Sequence, residues 1–292
     1  MPSTIRRSLY PVHQSPLFRL LGKNQFRSII GVEWEAVPKL LERDNYRVWT
    51  TEKGREIQAP RGWMATIHAR IATLLSRVEL PDYLYSRKGR SYADNAQQHV
   101  GSHPVAKTDI SKFYPSTTRA MVVAMFRNDF QCAEDVAHRL ADICCYRQEH
   151  LPTGSPLSGR MAFFAGKHMF DEVAKLAETS ECTLTVYVDD ITLSGAVASK
   201  RLLSEVRQIV RRHGFKTQQR KSKTFAAGAP KIITGAVATR GGLRLPNERH
   251  RKIWLARKEA QRVDMERPID RVRAQRELRG RLQEAKQILD RQ

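Results

Sequence analysis

Asp189 and Asp190 stand side by side in Thr-Leu-Thr-Val-Tyr-Val-Asp-Asp-Ile-Thr-Leu-Ser-Gly (residues 183–195), and Asp109 lies about eighty residues upstream in Thr-Asp-Ile-Ser-Lys-Phe-Tyr-Pro-Ser. Adjacent carboxylates at a turn have two readings: a polar turn, because Asp tolerates unusual backbone angles, or a metal site. The pair alone does not choose between them. Asp109 makes a three-carboxylate cluster available, and three like charges brought together are unfavourable unless a cation neutralises them. Hard Mg²⁺, with Mn²⁺ as a substitute, takes oxygen ligands and keeps positions open for water and phosphate. Two such ions would activate an attacking 3′-hydroxyl and stabilise a departing pyrophosphate.

Each carboxylate needs an element to hold it. Leu184, Val186 and Val188 alternate with Thr183, Thr185 and Tyr187, and Ile191 and Leu193 alternate with Thr192 and Ser194. This spacing predicts two half-buried strands joined at Asp189-Asp190 in a tight hairpin. His103–Ile110 predicts a short strand ending on Asp109. Pro115 fixes a turn behind it, and Thr117 or Thr118 caps a helix over Arg119–Phe130. A helix over Ala133–Tyr146 leads into Leu151-Pro152-Thr153-Gly154-Ser155-Pro156-Leu157-Ser158, where Gly154 would let a base or sugar approach the backbone. The following helix, Gly159–Glu178, turns Met161, Phe164, His168, Met169, Val173 and Leu176 toward a core.

The flanks are less specific. Residues 1 to about 35 read as a helical lead-in. Tyr46–Pro60 predicts a hairpin with its turn near Lys53-Gly54, and Trp63–Arg77 a helix. Arg47, Lys53 and Arg55 on that hairpin are a solvated face unless a triphosphate lies nearby. The Arg87-Lys88-Gly89-Arg90 turn reads as an exposed loop or a phosphate cradle, and His99 by default as a satisfied structural histidine. Ser199–His213 predicts a basic amphipathic helix, Lys231–Ala238 a strand, and Arg240–Leu243 a further turn. Two helices follow from Pro246, with Asn247 capping the first and Pro268 starting the second. Their Arg and Lys residues fit a solvated tail or a nucleic-acid clamp, and the charge of the whole chain favours the clamp.

Over 292 residues, 51 Lys and Arg against 30 Asp and Glu give a formal net charge of +21. An excess of this size points to a polyanionic partner, nucleic acid before an anionic membrane surface. No apolar run is long enough to span a bilayer and no signal-peptide pattern opens the chain. The four cysteines lack metal-ligand spacing, which fits a reducing cytoplasm. No P-loop, dinucleotide fingerprint or His-Glu-x-x-His helix is present.

From about Tyr46 to the C-terminal helices, the pieces in this order resemble a reverse transcriptase, most closely a bacterial retron reverse transcriptase. Tyr187-Val188-Asp189-Asp190 resembles the family's Tyr-x-Asp-Asp box. Asp109 matches the first aspartate of its Asp-x-x-x-Phe-Phe-Pro-Ser motif, and Leu-Pro-Thr-Gly-Ser-Pro-Leu-Ser is similar to its Leu-Pro-Gln-Gly-x-Pro-x-Ser loop. Asn95-Ala96-Gln97-Gln98-His99 and Ile233-Thr234-Gly235 resemble the retron Asn-Ala-x-x-His and Val-Thr-Gly elements. Thr153 stands for the usual Gln, Tyr114 for Phe and Ile233 for Val.

The resemblance implies an α+β right-hand polymerase. It would have an N-terminal lead-in (1–39), fingers (40–105), a palm of antiparallel sheet plus helices (106–240) and a helical thumb (241–292). It implies Asp109, Asp189 and Asp190 as catalytic metal ligands, joined by Ile110. Arg55, Phe113, Tyr114, Thr153, Gly154 and Tyr187 would contact the nucleotide, with Tyr114 excluding a 2′-hydroxyl. Lys221 or Lys223 would lie near the pyrophosphate. Asn95, His99, Thr234, Gly235, Arg249, Arg251 and Lys252 would contact RNA. The implied partners are dNTPs, a structured noncoding RNA that is both template and primer, its DNA product, and an accessory effector in anti-phage defence. Synthesis would start from an RNA 2′-hydroxyl in the bacterial cytoplasm. No RNase H or endonuclease domain is expected. The alternatives are another defence-associated reverse transcriptase without a branched product, and a non-catalytic RNA-binding protein.

Overall fold

Alternating and helical apolar patterns resolve into twelve helices and nine strands in a computed structural model that describes residues 9–42, 44–262 and 268–290. In chain order these are α1 (Lys23–Ile30), α2 (Val37–Leu41), β1 (Tyr46–Thr50), β2 (Glu56–Pro60), α3 (Gly62–Ser76), α4 (Tyr92–Gln97) and β3 (Val105–Asp109). Next come α5 (Phe113–Ser116), α6 (Arg119–Ala124), α7 (Glu134–Cys144), α8 (Ser158–Ala165), α9 (Lys167–Thr179), β4 (Thr183–Tyr187) and β5 (Asp190–Ser194). The last are α10 (Lys200–Arg212), β6 (Lys223–Phe225), β7 (Lys231–Ile233), β8 (Ala236–Thr239), β9 (Gly242–Arg244), α11 (Asn247–Arg262) and α12 (Pro268–Leu289). In the expected lead-in, a 3-10 turn at Val12–Gln14 precedes α1, and residues 1–8 lie outside the described residues.

The chain divides into two interleaved units, one of residues 1–81, 111–172 and 210–216, the other of 82–110, 173–209 and 217–292. In the first, α3 packs on β2 and α8, α7 on α2 and α6, and α5 on α8. Phe113, Phe126, Phe130, Phe163, Phe164, Phe170 and Phe215 are buried there, and Phe163 and Phe170 stack at 5.6 Å. The second unit holds an antiparallel sheet in the order β4-β5-β3-β6 and a three-stranded sheet β7-β8-β9. Ala93 and Ala96 of α4 form one cluster with Val105, Ile233, Ala236, Ala238, Leu243 and Ile288. Small residues on α4 let the helix lie close against the sheet.

Several elements differ from their expected form. The carboxylate hairpin is joined by Val188-Asp189, because Tyr187 pairs directly with Asp190 and the latter begins β5. Val188 takes φ +60, an unfavourable angle for a β-branched residue. The strands are covered on both faces, since Thr185, Thr192 and Ser194 are buried along with Val186, Ile191 and Leu193. Lys231–Ala238 is a hairpin, not one strand: Thr234 (φ +43) and Gly235 (φ +85) form its two-residue turn, with Ile233 paired to Ala236. Positive φ at both central positions marks a type I′ turn, which matches the twist of the flanking strands.

The helix expected over Gly159–Glu178 breaks at Gly166 into α8 and α9, and of the predicted stripe Met161, Phe164, Met169 and Val173 are buried. His168 leaves the core and bonds to Asp129 at 2.9 Å. Pro115 sits inside the short helix α5, where its missing N–H is harmless in a first turn. Thr118 caps α6 through a bond from the Met121 N–H, and a π turn over Met125–Asp129 ends that helix early.

Candidate active site

Asp109 at the end of β3 is the direct antiparallel partner of Asp190 at the start of β5, and Asp189 occupies the turn beside them. Directly opposed residues share a face, so Asp109, Asp190, Tyr187, Thr192 and Lys107 project from one side of the sheet. The Ile110 N–H donates to the Asp189 carbonyl at 2.9 Å, and the Gln218 N–H donates to the Asp109 carbonyl at 2.8 Å. The backbone therefore fixes both acidic segments before any side chain acts. Along the edge of β4, the Tyr85 N–H donates to the Val186 carbonyl and the Val186 N–H to the Tyr83 carbonyl. The Val188 N–H reaches Ser86 Oγ at 3.2 Å, which helps hold the turn residue in its strained conformation.

Two ammonium groups serve the three carboxylates. Lys107 Nζ donates to Asp190 Oδ2 at 2.9 Å and Lys221 Nζ to Asp109 Oδ2 at 2.7 Å. Thr192 Oγ1 also reaches Asp190 Oδ1, at 3.4 Å. Burial pushes the Asp189 pKa up to about 6, and the neighbouring Asp109 charge adds to the rise. Burial also raises Asp190, against the pull of Lys107. Burial works to lower the Lys221 pKa, but the hydrogen bond and charge of Asp109, with Asp189 and Asp190, bring it out above its ordinary value. Lys107 was readable in the sequence: it lies two residues before Asp109 in a strand, hence on the same face.

Among the described residues no three His, Cys, Asp or Glu side chains are gathered closely enough to enclose an ion, since two of the carboxylates are turned onto lysines. The donor chemistry is nevertheless a hard one: carboxylate oxygens alone, at one end of a sheet, with an unfavourable charge on Asp189. These residues fit a divalent cation of the Mg²⁺ class once the Lys221 ammonium yields Asp109.

Phe113, Tyr114, Thr153, Gly154 and Arg55 lie in the first unit. Phe113 is buried against Phe170 and Phe215, while Tyr114 is half-buried, its hydroxyl over the open face of Gly159. The Thr153 N–H donates to Gln58 Oε1 at 2.9 Å and the Gly154 N–H to the Gln58 carbonyl at 3.1 Å. A Cβ on Gly154 would lie 3.0 Å from that carbonyl and 3.1 Å from Ala59 Cα. The close approach that requires glycine is thus made by strand β2. Arg55 is exposed at the β1–β2 turn.

The residues expected to meet RNA separate into two groups. Asn95 and His99 are each 1% exposed. Asn95 Nδ2 lies 3.4 Å from Thr234 Oγ1, which itself donates to the Tyr92 carbonyl at 2.7 Å. Arg249 lies over the Tyr92 ring, pairs with Glu284, and brings its guanidinium to 2.8 Å from where a Cβ on Gly235 would stand. Arg251 and Lys252 are exposed. A groove of about 850 Å³, lined in part by Ile232, Gly235, Arg244, Arg249, Lys252 and Arg281, runs beside the Thr234-Gly235 turn. Trp254, 53% exposed with Lys258 over its ring, was not expected from the pattern. All four cysteines are free, and among the described residues no helix is long and apolar enough to cross a membrane.

Residues 44–253 match the family described as reverse transcriptase (RNA-dependent DNA polymerase). The Retron Ec86 reverse transcriptase of Escherichia coli is 24% identical over 224 residues, covering 71% of this chain and 68% of that protein. The Retron Ec48 reverse transcriptase, also of Escherichia coli, is 22% identical over 268 residues, covering 84% of this chain and 65% of that one. The chain thus spans about two thirds of the length of these relatives. Among solved structures, apo telomerase from Candida tropicalis, truncated from its C-terminal domain, aligns with a TM-score of 0.49 and 11% identity. That alignment covers 69% of this chain and 54% of the telomerase.

Proposed function

The chain belongs to the reverse transcriptase family of RNA-dependent DNA polymerases and is of the bacterial retron type, and from that premise we propose that it copies a structured noncoding RNA into DNA. Priming from an RNA 2′-hydroxyl would leave a branched, RNA-linked single-stranded DNA. The observation that carries the catalytic part is the cross-strand pairing of Asp109 with Asp190 beside the Asp189 turn.

Asp109, Asp189 and Asp190, with the Ile110 carbonyl, would hold two Mg²⁺ ions. Bound there, the ions would supply an activated hydroxyl and charge neutralisation at the leaving group. The hydroxyl oxygen bonds to the α-phosphorus of a dNTP as the bond from that phosphorus to the pyrophosphate oxygen breaks, and the hydroxyl proton passes to solvent. Lys107 keeps the Asp190 carboxylate oriented through its bond to Oδ2. Lys221, about half exposed, is free to leave Asp109 for the more concentrated charge of a triphosphate.

Arg55, Phe113, Tyr114, Thr153, Gly154 and Tyr187 are the proposed nucleotide contacts, on the family likeness. The exposed cations Arg251 and Lys252, the latter lining the groove next to Thr234-Gly235, are the proposed RNA contacts. The division into fingers, palm and thumb, the bacterial cytoplasm, the accessory effector and the anti-phage role belong to the same proposal and rest on the family likeness.

The test is dNTP incorporation on the RNA that copurifies with the protein, analysed before and after debranching. Wild-type protein is expected to give a product that shortens on debranching, and Asp189→Asn and Asp190→Asn to give none. Full synthesis by both variants overturns the metal assignment. A product insensitive to debranching removes the 2′-hydroxyl priming.

A further inference from the structure

His99 sits between the two strands that carry the carboxylates. Its Nδ1 lies 2.8 Å from Ser194 Oγ on β5 and its Nε2 2.7 Å from Thr185 Oγ1 on β4. Thr185 faces Thr192 and Thr183 faces Ser194, so the two hydroxyls are diagonal neighbours on one face of the hairpin. Such diagonal positions are about 7–8 Å apart between Cα atoms, too far for two short hydroxyl side chains to meet. The imidazole fills that gap and satisfies both. It is the same face that carries Tyr187, Thr192, Asp190 and, through β3, Asp109 and Lys107.

The ring is itself anchored. It follows α4, whose N-terminus is closed by a capping box in which Ser91 and Asp94 bond reciprocally. Asn95, one helical turn before His99, reaches Thr234, and Thr234 bonds back to Tyr92. Ala93 and Ala96 are buried against β7, β8 and β9 residues. Residues 91–99 therefore form a bracket with the Thr234-Gly235 turn on one side and the carboxylate hairpin on the other. Being 1% exposed and fully engaged, His99 has no surface to offer a nucleic acid.

We infer that His99 is a positioning residue for the reaction: it fixes the offset and twist of β4 against β5, and so the place of Asp189 and Asp190 relative to Asp109. It touches no reacting atom and acts through the two strands. A hairpin whose turn holds Val188 at φ +60 needs such restraint, because relaxing that angle would swing the adjoining Asp189. This inference rests on reading Asp109, Asp189 and Asp190 as the reaction centre.

The experiment compares His99→Ala, His99→Gln, Thr185→Val and Ser194→Ala with wild type in the full chain. Three quantities are measured: hydrogen exchange over residues 183–194, kcat and KM on a poly(rA)/oligo(dT) template-primer, and affinity for that hybrid. His99→Ala is expected to speed exchange in the hairpin and to lower kcat about 10- to 100-fold, with hybrid affinity and both KM values within about twofold of wild type. His99→Gln, which can bond to both hydroxyls, restores part of kcat. If His99→Ala does not fold, Thr185→Val and Ser194→Ala carry the test, each speeding exchange and lowering kcat. Unchanged exchange and kcat in the folded variants overturn the inference. So does a loss of hybrid affinity with kcat retained, which would make His99 a nucleic-acid contact. Asp189→Asn in the same assay separates the two levels: its full activity would overturn the reaction-centre reading, whereas its inactivity beside fully active His99 variants overturns the positioning role alone.

Discussion

Lys221 Nζ lies 2.7 Å from Asp109 Oδ2, so an ammonium group holds the carboxylate that begins the acidic set. An ammonium and a divalent cation compete for the same oxygen, and because the lysine is half exposed while Asp109 is buried, the carboxylate left by the ammonium needs another cation in its place. Lys221→Met is therefore expected to bind Mg²⁺ severalfold more tightly in the absence of dNTP, read by titration calorimetry. With Mg²⁺ saturating, the same variant should need more dNTP, because the cation that would meet the triphosphate is gone. Weaker Mg²⁺ binding by the variant would mean that Lys221 organises the site instead of competing for it.

Asp189 carries the clearest energetic cost in the site. Its folded pKa of about 6 lies above the ordinary 3.8. The folded state thus holds a proton more readily than the unfolded chain, and metal-free stability is lost as pH rises from about 4 to about 6. The penalty above pH 6 is on the order of 1–3 kcal/mol. Asp189→Asn should melt a few degrees higher than wild type at pH 7.5 without metal, and the gap should close toward pH 4. Mg²⁺ should raise the wild-type midpoint at pH 7.5 and leave the variant nearly unmoved. A variant that melts lower at pH 7.5 would contradict this account.

Much of this site was legible in advance because strands have a period of two. That rule marks the alternation flanking Asp189-Asp190, the strand ending on Asp109, and Lys107 on the same face. It could not mark Val188-Asp189 as the turn, because a β-branched residue at positive φ is a position that tertiary contacts impose, here a bond from the Val188 N–H to Ser86 Oγ and pairing along the β4 edge. Nor could it show that Thr185 and Ser194 are buried. Alternating threonines read as a solvent face until His99, some ninety residues away, is seen to satisfy them. Asn95 and His99 were readable as a motif, but a motif does not say whether its polar groups point out to RNA or in to the fold. Gly166 and the Thr234-Gly235 turn broke elements that periodicity alone had run together.

Two buried histidines make the protein sensitive to acid. Burial lowers His68 to about 4, partly offset by its bond to the Ile143 carbonyl. Burial, with the charges of Lys231 and Lys107, lowers His99 to about 3. Below pH 6.5 the unfolded chain gains protons that the folded sites refuse, so stability falls as pH drops toward 4, by up to about 1.4 kcal/mol per unit for each histidine. Urea unfolding at pH 7 and pH 5 should show that loss. His68→Gln, which can keep the bonds to Ser155 and the Ile143 carbonyl, should make the dependence visibly shallower. Equal slopes for variant and wild type would assign the acid sensitivity elsewhere.

Tyr114 is half-buried, and a Cβ on Gly159 would come to 3.6 Å from its hydroxyl. A flat aromatic wall at the sugar would exclude a 2′-hydroxyl by contact alone. Tyr114→Val should lower the preference for dNTP over rNTP by at least about tenfold, measured as the ratio of the two kcat/KM values, with the dNTP value itself falling much less. An unchanged ratio would move the sugar gate to another residue.

Gly154 is held against the β1–β2 hairpin more tightly than any side chain allows. Its added Cβ would stand 2.8 Å from Ile57 Cγ2 and 3.0 Å from the Gln58 carbonyl oxygen. The isoleucine can turn aside, but the carbonyl belongs to a strand paired along its length with β1. Gly154→Ala must therefore lift the loop and lengthen the bonds that the Thr153 and Gly154 N–H groups donate to Gln58. Because Thr153 and Gly154 are the proposed nucleotide contacts, the dNTP KM should rise about tenfold while kcat falls less, and the melting midpoint should drop by a few degrees. Gly241→Ala, at an exposed position with nothing within 4 Å of the added Cβ, is the matched control and should change neither quantity. If Gly154→Ala lowers the midpoint but leaves the dNTP KM unchanged, the loop is a packing element of the hairpin and the nucleotide is read by other residues.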